Sequence, residues 1–204
     1  MTDQSLTPLQ REYKFWFLKS KENKKNMTKE DFESDLVPMV SFSTVEEFWG
    51  YYLHMRKPAQ LEAGSKLFLF QGSIRPLWED ENNRDGGRFY IRVRKDKANK
   101  IWEDLVLDYL GEQFEYNEDI CGLQIASRND DVIVISLWTQ HIKNNVKEEL
   151  CSWLRKCLDI PSNVKIEYQD HPRSFHGDKK YGGGGNSSWY ERDSYRKTSY
   201  RAMN

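Results

Sequence analysis

Apolar and polar positions along this chain follow two rhythms, a period of two and a period of about 3.6, and the switches between them mark out its elements. Arg11 to Leu18 (REYKFWFL) predicts a strand. Residues 19–31 (KSKENKKNMTKED) are charged and poor in apolar side chains, which predicts a loop; residues 32–42 predict an extended segment ending in VSF. Ser43 and Glu46 have capping-box spacing, in which a hydroxyl and a carboxylate each satisfy a backbone N–H at a helix start, so an amphipathic helix is expected over about 44–55. Lys66 to Gln71 predicts a strand, and residues 72–87, with Gly, Pro, Asn and Asp, a long loop. From Arg88 to Lys95 the alternation is clean: Phe89, Ile91 and Val93 share one face, and Arg88, Tyr90, Arg92 and Arg94 the other. A second helix is expected over 99–110, stopped by Gly111. Strands follow near 119–127 and 132–138. Val146, Leu150, Trp153, Leu154 and Cys157 then have helical spacing within 142–158, ahead of Pro161, and a last strand covers about 164–169. Strand pairs mixed with separated helices predict the α+β class, an antiparallel sheet with helices on one face.

Composition narrows the picture. The 204 residues are expected to form one domain over 11–170, with an N-terminal arm at 1–10 and a polar tail at 171–204 that includes Gly182–Gly185 and reads as disordered. Aromatics make up 14% of the chain with seven Trp, an excess that needs a packing or stacking explanation. Thirty-one basic against 32 acidic residues leave a net charge of -1, unlike a protein that relies on non-specific phosphate contacts. A small pocket where a few cations meet one ligand remains compatible with it. Cys121, Cys151 and Cys157 are too few for a disulfide framework and are expected as small buried hydrophobes in a reducing compartment. No apolar signal core or bilayer-length run is seen, and a cytoplasmic, membrane-free, monomeric protein is expected.

Candidate chemistry gathers in GSIRPLWEDENNRDGGRFYIRVRK, from Gly72 to Lys95. Trp78 stands beside Glu79, Pro76 stiffens the approach, and the strand beyond carries Arg88, Arg92 and Arg94 on one face. By themselves, Trp78 and Glu79 read first as a core Trp followed by solvated acids, and the arginine stripe as a solvated sheet face. Enzyme chemistry has less support. His54, His141, His171 and His176 show no paired pattern, no zinc spacing appears, and no Gly-rich phosphate loop precedes a helix, so neither cofactor nor metal is expected.

The whole arrangement resembles the eukaryotic translation initiation factor 4E family of cap-binding proteins, over about Thr7 to His171. The resemblance is carried by TPLQREYKFWF (7–17), FSTVEEFW (42–49), GSIRPLWEDENNRDGGRF (72–89), WEDLVLDYLGEQF (102–114) and ICG (120–122). It implies a curved antiparallel sheet of about eight strands, three long helices on the convex face, and the 7-methylguanosine cap of messenger RNA bound on the concave face. Such a base is flat and cationic. Two aromatic rings can sandwich it, a carboxylate can accept both N–H groups of its edge, and cations can hold its triphosphate. Position by position, the resemblance makes Phe32 and Trp78 the stacking pair and Glu79 the acid. The resemblance also implies Trp138 near the methyl group, Arg128 as the main phosphate contact and Arg88 acting through water. As residues alone, Phe32 also fits a buried ring tacking its loop to the core, and Trp138 a core position. The family's second phosphate lysine has no counterpart, since Val132 to Ile135 is apolar. Arg92, on the same face as Arg88, is the expected substitute. YKFWF at 13–17, RVRK at 92–95 and GEQF at 111–114 further resemble the class II branch, the 4E-homologous protein of animals and the novel cap-binding protein of plants.

The same resemblance implies a partner surface on the helix side for peptides of the form Tyr-x4-Leu-apolar, as in 4G-like scaffolds or 4E-binding repressors. Its matching positions are Pro8, Val45, Trp49, Asp104 and Leu107, with Glu103 where initiation-type members carry leucine. Val45 and Trp49 also fit inward packing on the sheet. The alternative function is a protein-interaction scaffold of the same fold whose cap pocket has weakened or been lost. The tail's Tyr190, Arg192, Tyr195, Arg196, Tyr200 and Arg201 could touch RNA beyond the cap.

Overall fold

In the order in which they pair, strands β2 (Leu36–Thr44), β1 (Pro8–Leu18), β3 (Lys66–Gln71), β5 (Ile120–Ser127), β6 (Val132–Thr139), β4 (Gly87–Arg94) and β7 (Glu167–Asp170) form one curved, open sheet in which every pair is antiparallel. Among the described residues four α-helices accompany it: α1 (Lys29–Asp35), α2 (Val45–Tyr52), α3 (Ala98–Leu110) and α4 (Asn144–Cys157). The computed structural model describes residues 6–19 and 29–171. The start of the expected arm, residues 20–28 of the expected loop, and the tail with His176 and its Gly, Tyr and Arg residues lie outside the described residues. The α+β expectation holds. The resemblance implied about eight strands, whereas the described residues hold seven. Separately, residues 29–35, expected as the end of a loop and the start of an extended segment, are helical as α1, and the strand begins only at Leu36.

Side-chain alternation gives the sheet two apolar faces. On one, Tyr13 and Phe15 of β1, Leu67 and Leu69 of β3, and Ile133, Ile135 and Leu137 of β6 meet Phe48 and Tyr52 of α2, Trp102, Leu105 and Tyr109 of α3, and Leu150 and Leu154 of α4. Trp102 is wholly buried there, and its removal would cost about 3–5 kcal/mol. On the other face a smaller cluster joins Trp16, Leu18, Phe68, Phe70, Cys121 and Trp138 to Phe32 and Leu36 from the α1 segment and to Ile74 and Leu77 from the loop after β3. The three longer helices therefore share one face, and the short α1 lies on the opposite one.

Several element boundaries moved for identifiable reasons. β1 starts at Pro8, inside the expected arm, because Pro8 pairs with Thr44 while Thr7 N–H donates to Glu46 (2.8 Å) and Val45 N–H to Thr7 O (2.9 Å). The capping box is Thr44 with Glu47, one residue later than Ser43 with Glu46. Thr44 Oγ1 accepts from Glu47 N–H (3.2 Å), and the Glu47 carboxylate accepts from Ser43 (2.9 Å) and Thr44 (3.2 Å) N–H. The sequence STVEE satisfies the box rule in both registers, and the engagement of Glu46 with Thr7 leaves only the later one. At the end of α3 the left-handed residue is Glu112 (φ 49°), not Gly111 (φ -82°). The last strand begins only at Glu167, since Val164 and Ile166 turn toward the core. Cys157 is exposed and Cys151 half-buried rather than both buried, because Leu158 fills the inward position where α4 ends.

Candidate functional site

Cross-strand register organises the face opposite α2, α3 and α4 into rows. One row runs from Phe70 through Gly122 and Trp138 to Arg88 and Gln169. The next runs from Phe68 through Gln124 and Ser136 to Tyr90 and Glu167, and a third from Lys66 through Ala126 and Val134 to Arg92. Arg88, Arg92 and Trp138, three of the expected site residues, are thereby brought onto one face by pairing alone.

Trp138 forms the floor. It is only 7% exposed, its Nε1–H donates to Gln124 Oε1 (3.0 Å), and Phe70 meets it edge-on with ring centroids 5.4 Å apart. Gly122 makes this packing possible, since a Cβ there would lie 2.4 Å from the Phe70 ring. Against Trp138 lies the ring of His171, with centroids 4.4 Å apart. Burial, and then the charge of Arg88, push the His171 pKa down to about 3, so the imidazole is neutral. His171 N–H donates to Gly86 O (2.9 Å), which fastens the chain after β7 to the loop before β4. No sequence signal singled it out, because a lone histidine at the end of a polar strand looks like any surface residue.

Trp78 and Glu79, both half-buried, project from the loop between β3 and β4. That loop is clamped from within. The Asp80 carboxylate accepts N–H bonds from Arg75 (3.1 Å) and Asn82 (3.1 Å), and Asn82 Nδ2 (3.0 Å). Asn83 is 0% exposed, and its Nδ2 donates to the carbonyls of Arg75 (2.9 Å) and Leu77 (2.8 Å). Ile74 and Leu77 anchor the loop in the same apolar cluster as Trp138. Asp80 and Asn83 were read only as turn-forming residues. Their composition signal was present, but what they bond could not be read from it.

Phe32 is also in this cluster, and it is 4% exposed. Its ring stands edge-on to Phe68 with centroids 6.4 Å apart, and the Lys66 ammonium lies 5.5 Å from its centroid. Stacking on Phe32 therefore requires its ring to leave the cluster.

The cations are spread along the sheet. Arg88 Nη2 donates to Gln169 Oε1 (3.0 Å), and its guanidinium lies 5.4 Å from the Tyr90 centroid. Arg92 Nη1 donates to Glu167 Oε1 (2.7 Å), and its guanidinium lies 4.9 Å from the same ring. Burial works against the Arg92 charge, but bonds and charges from Tyr90 and Glu167 outweigh it and hold its pKa above the ordinary value. Burial likewise works to raise the Glu167 carboxyl, and the hydrogen bonds from Arg92 and Tyr90 and the charges of Arg92 and Lys165 bring it below the usual range. Arg128 sits past the end of β5, where its N–H bonds Val132 O (2.9 Å) and fixes the turn into β6.

On the helix side, Pro8 and Val45 are brought together by the Thr7 bonds to the start of α2. Trp49 is half-buried against Phe48 and Tyr52, with centroids 5.0 Å and 5.9 Å away. Leu107 of α3 is 40% exposed, Asp104 pairs with Lys100, and Glu103 pairs with Lys57 (3.5 Å). Among the described residues no group of three or more His, Cys, Asp or Glu is placed to hold a metal ion, and no helix is long and apolar enough to cross a membrane.

Comparison with known proteins places this geometry. The family model described as eukaryotic initiation factor 4E matches residues 8–183. The initiation factor NCBP of Oryza sativa subsp. japonica is 34% identical over 176 residues, covering 85% of this chain and 75% of the relative. Among solved structures, Caenorhabditis elegans eIF4E-3 in complex with the 4E-binding protein Mextli and a cap analog superposes with a TM-score of 0.75 at 34% identity, covering 82% of this chain and 94% of that one. Ascaris suum eIF4E-3 with an m7G cap superposes with a TM-score of 0.74 at 35% identity, covering 85% and 96%. The NCBP likeness agrees with the class II features of the sequence.

Proposed function

The chain belongs to the eukaryotic initiation factor 4E family, and from that premise we propose that it binds the 7-methylguanosine cap of messenger RNA on the sheet face opposite α2, α3 and α4. The observation that carries this reading is the Trp78–Glu79 pair, presented by a loop clamped through Asp80 and Asn83 beside the floor formed by Trp138. Trp78 stacks on the cationic base, and Glu79 accepts the two N–H groups of its edge, a charge-assisted bidentate contact that discriminates guanine. Trp138 bounds the space for the methyl group. Arg128 holds phosphate directly, Arg88 holds it through water, and Arg92 is a weaker stand-in for the family's lysine because Glu167 pairs with it. Phe32 closes the sandwich once it leaves its cluster. The cap complexes of the nematode eIF4E-3 proteins support this reading.

The helix side serves regulation of translation. Pro8, Val45, Trp49, Asp104 and Leu107 receive a Tyr-x4-Leu-apolar helix, a role supported by the Mextli complex of eIF4E-3. The chain acts by recognition rather than catalysis, in the cytoplasm. A second reading has one specific observation in its favour: Phe32 is buried, as expected of an interaction scaffold whose cap pocket has closed.

Retention on immobilised 7-methyl-GTP tests the proposal. The chain should be retained and eluted by free 7-methyl-GTP, and Trp78→Ala should pass through. Equal retention on immobilised GTP would overturn it in favour of the scaffold reading.

A further inference from the structure

A cation on a sheet face holds an anionic ligand less well when a protein carboxylate already pairs with it. Arg92 of β4 lies opposite Val134 of β6, and Val134 lies opposite Ala126 of β5. Arg128 lies two residues beyond Ala126, just past the end of β5. On the cap reading, a phosphate chain running from Arg128 toward Arg92 would cross the sheet beside Val134, the position that pairs with Arg92. Arg92 is held by a carboxylate of the protein itself. β7 places Glu167 opposite Tyr90, and its carboxylate reaches Arg92 Nη1 at 2.7 Å. Its other oxygen lies 3.5 Å from Lys165 Nζ.

We propose that Glu167 is a specificity-determining residue of this face: its carboxylate occupies Arg92 in place of a ligand phosphate, so that the chain selects capped ligands by their base more than by their number of phosphates. The inference rests on the cap reading above. A phosphate approaching Arg92 must either displace the carboxylate or accept its repulsion at close range, and both weaken the contact. Lys165 offsets this only in part, because its side chain is 79% exposed and screened by water and salt. Removing the Glu167 charge would leave Arg92 in place, since the Tyr90 ring 4.9 Å away still supports the guanidinium.

The test is titration of the full chain, of Glu167→Gln and of Glu167→Gln/Arg92→Gln with 7-methyl-GMP and 7-methyl-GTP, at low and high salt. Glu167→Gln should tighten 7-methyl-GTP by about tenfold, equivalent to about 1.4 kcal/mol, leave 7-methyl-GMP nearly unchanged, and steepen the salt dependence of the triphosphate. The double variant should lose the gain. Glu167→Asp, which keeps the charge but shortens its reach, gives a smaller gain in the same direction and serves should the glutamine variant fold poorly. An unchanged triphosphate-to-monophosphate ratio in the single variants, or a gain that persists in the double variant, would overturn the inference and leave the cap reading standing. Failure of the parent chain to bind either nucleotide would overturn both.

Discussion

Asn83→Ala should unfasten the loop that presents Trp78 and Glu79. The side chain is fully buried and donates to two backbone carbonyls, at Arg75 (2.9 Å) and Leu77 (2.8 Å). The Arg75 bond lies near the surface, where water can replace the donor, so its loss costs about 1 kcal/mol. The Leu77 carbonyl is buried and would be left unsatisfied, which costs about 2 kcal/mol. The total of about 3 kcal/mol should lower the melting temperature by about 6–12 °C for a chain of this length. The effect on 7-methyl-GTP affinity, measured well below the transition where the variant is folded, should be a loss of at least about tenfold, since the loop then samples positions that separate Trp78 from Glu79's target. Asn83→Asp should do at least as much damage with the same shape, because a carboxylate has no N–H to donate and turns its charge toward two carbonyl oxygens. Calorimetry and a fluorescence titration at matched temperature check both. Melting within about 2 °C of the parent, with unchanged affinity, would refute the clamp.

Further predictions follow from other parts of the structure. His171 is neutral in the folded chain, with its pKa pushed down to about 3 by burial and Arg88, against an ordinary value of 6.5. Protonation thus favours the unfolded chain: this contribution is complete above about pH 6.5 and is lost as pH falls toward 3, by up to about 1.4 kcal/mol per pH unit. His171→Gln should flatten the fall of melting temperature between neutral and acidic pH, and an unchanged slope would refute the assignment. Gly122→Val should destabilise by about 1–3 kcal/mol, because the new side chain meets the Phe70 ring, and a denaturant melt would show no shift if the close approach were unimportant. Trp49→Ala should abolish capture by a Tyr-x4-Leu peptide while leaving 7-methyl-GTP binding intact; undiminished capture would remove the helix-side assignment.

Much of the sheet was legible because its alternation is strong. Lys66–Gln71 was bounded correctly from the pattern, and the opposite faces of Phe89, Ile91 and Arg88, Arg92 follow from period two. Features decided by long-range partners were not legible. α1 lacks apolar periodicity, with Phe32 its one large hydrophobe, and its helix is secured by docking that ring against Phe68. The capping register of α2 was ambiguous because STVEE offers two boxes, and the choice depends on Thr7, remote in sequence. In the site, the resemblance pointed to Trp78, Glu79, Arg88, Arg92, Arg128 and Trp138 at once. Glu167 and His171 carry no local signal. Their roles arise only because β7 pairs with β4 and brings the end of the domain across the same face.

The central claim is tested most directly by titrating the chain with 7-methyl-GTP and with unmodified GTP while following quenching of tryptophan emission. The account predicts strong quenching by the methylated nucleotide, little by GTP, and loss of the difference in both Trp78→Ala and Glu79→Ala. Equal binding of the two nucleotides, or a preference that survives both substitutions, would contradict it.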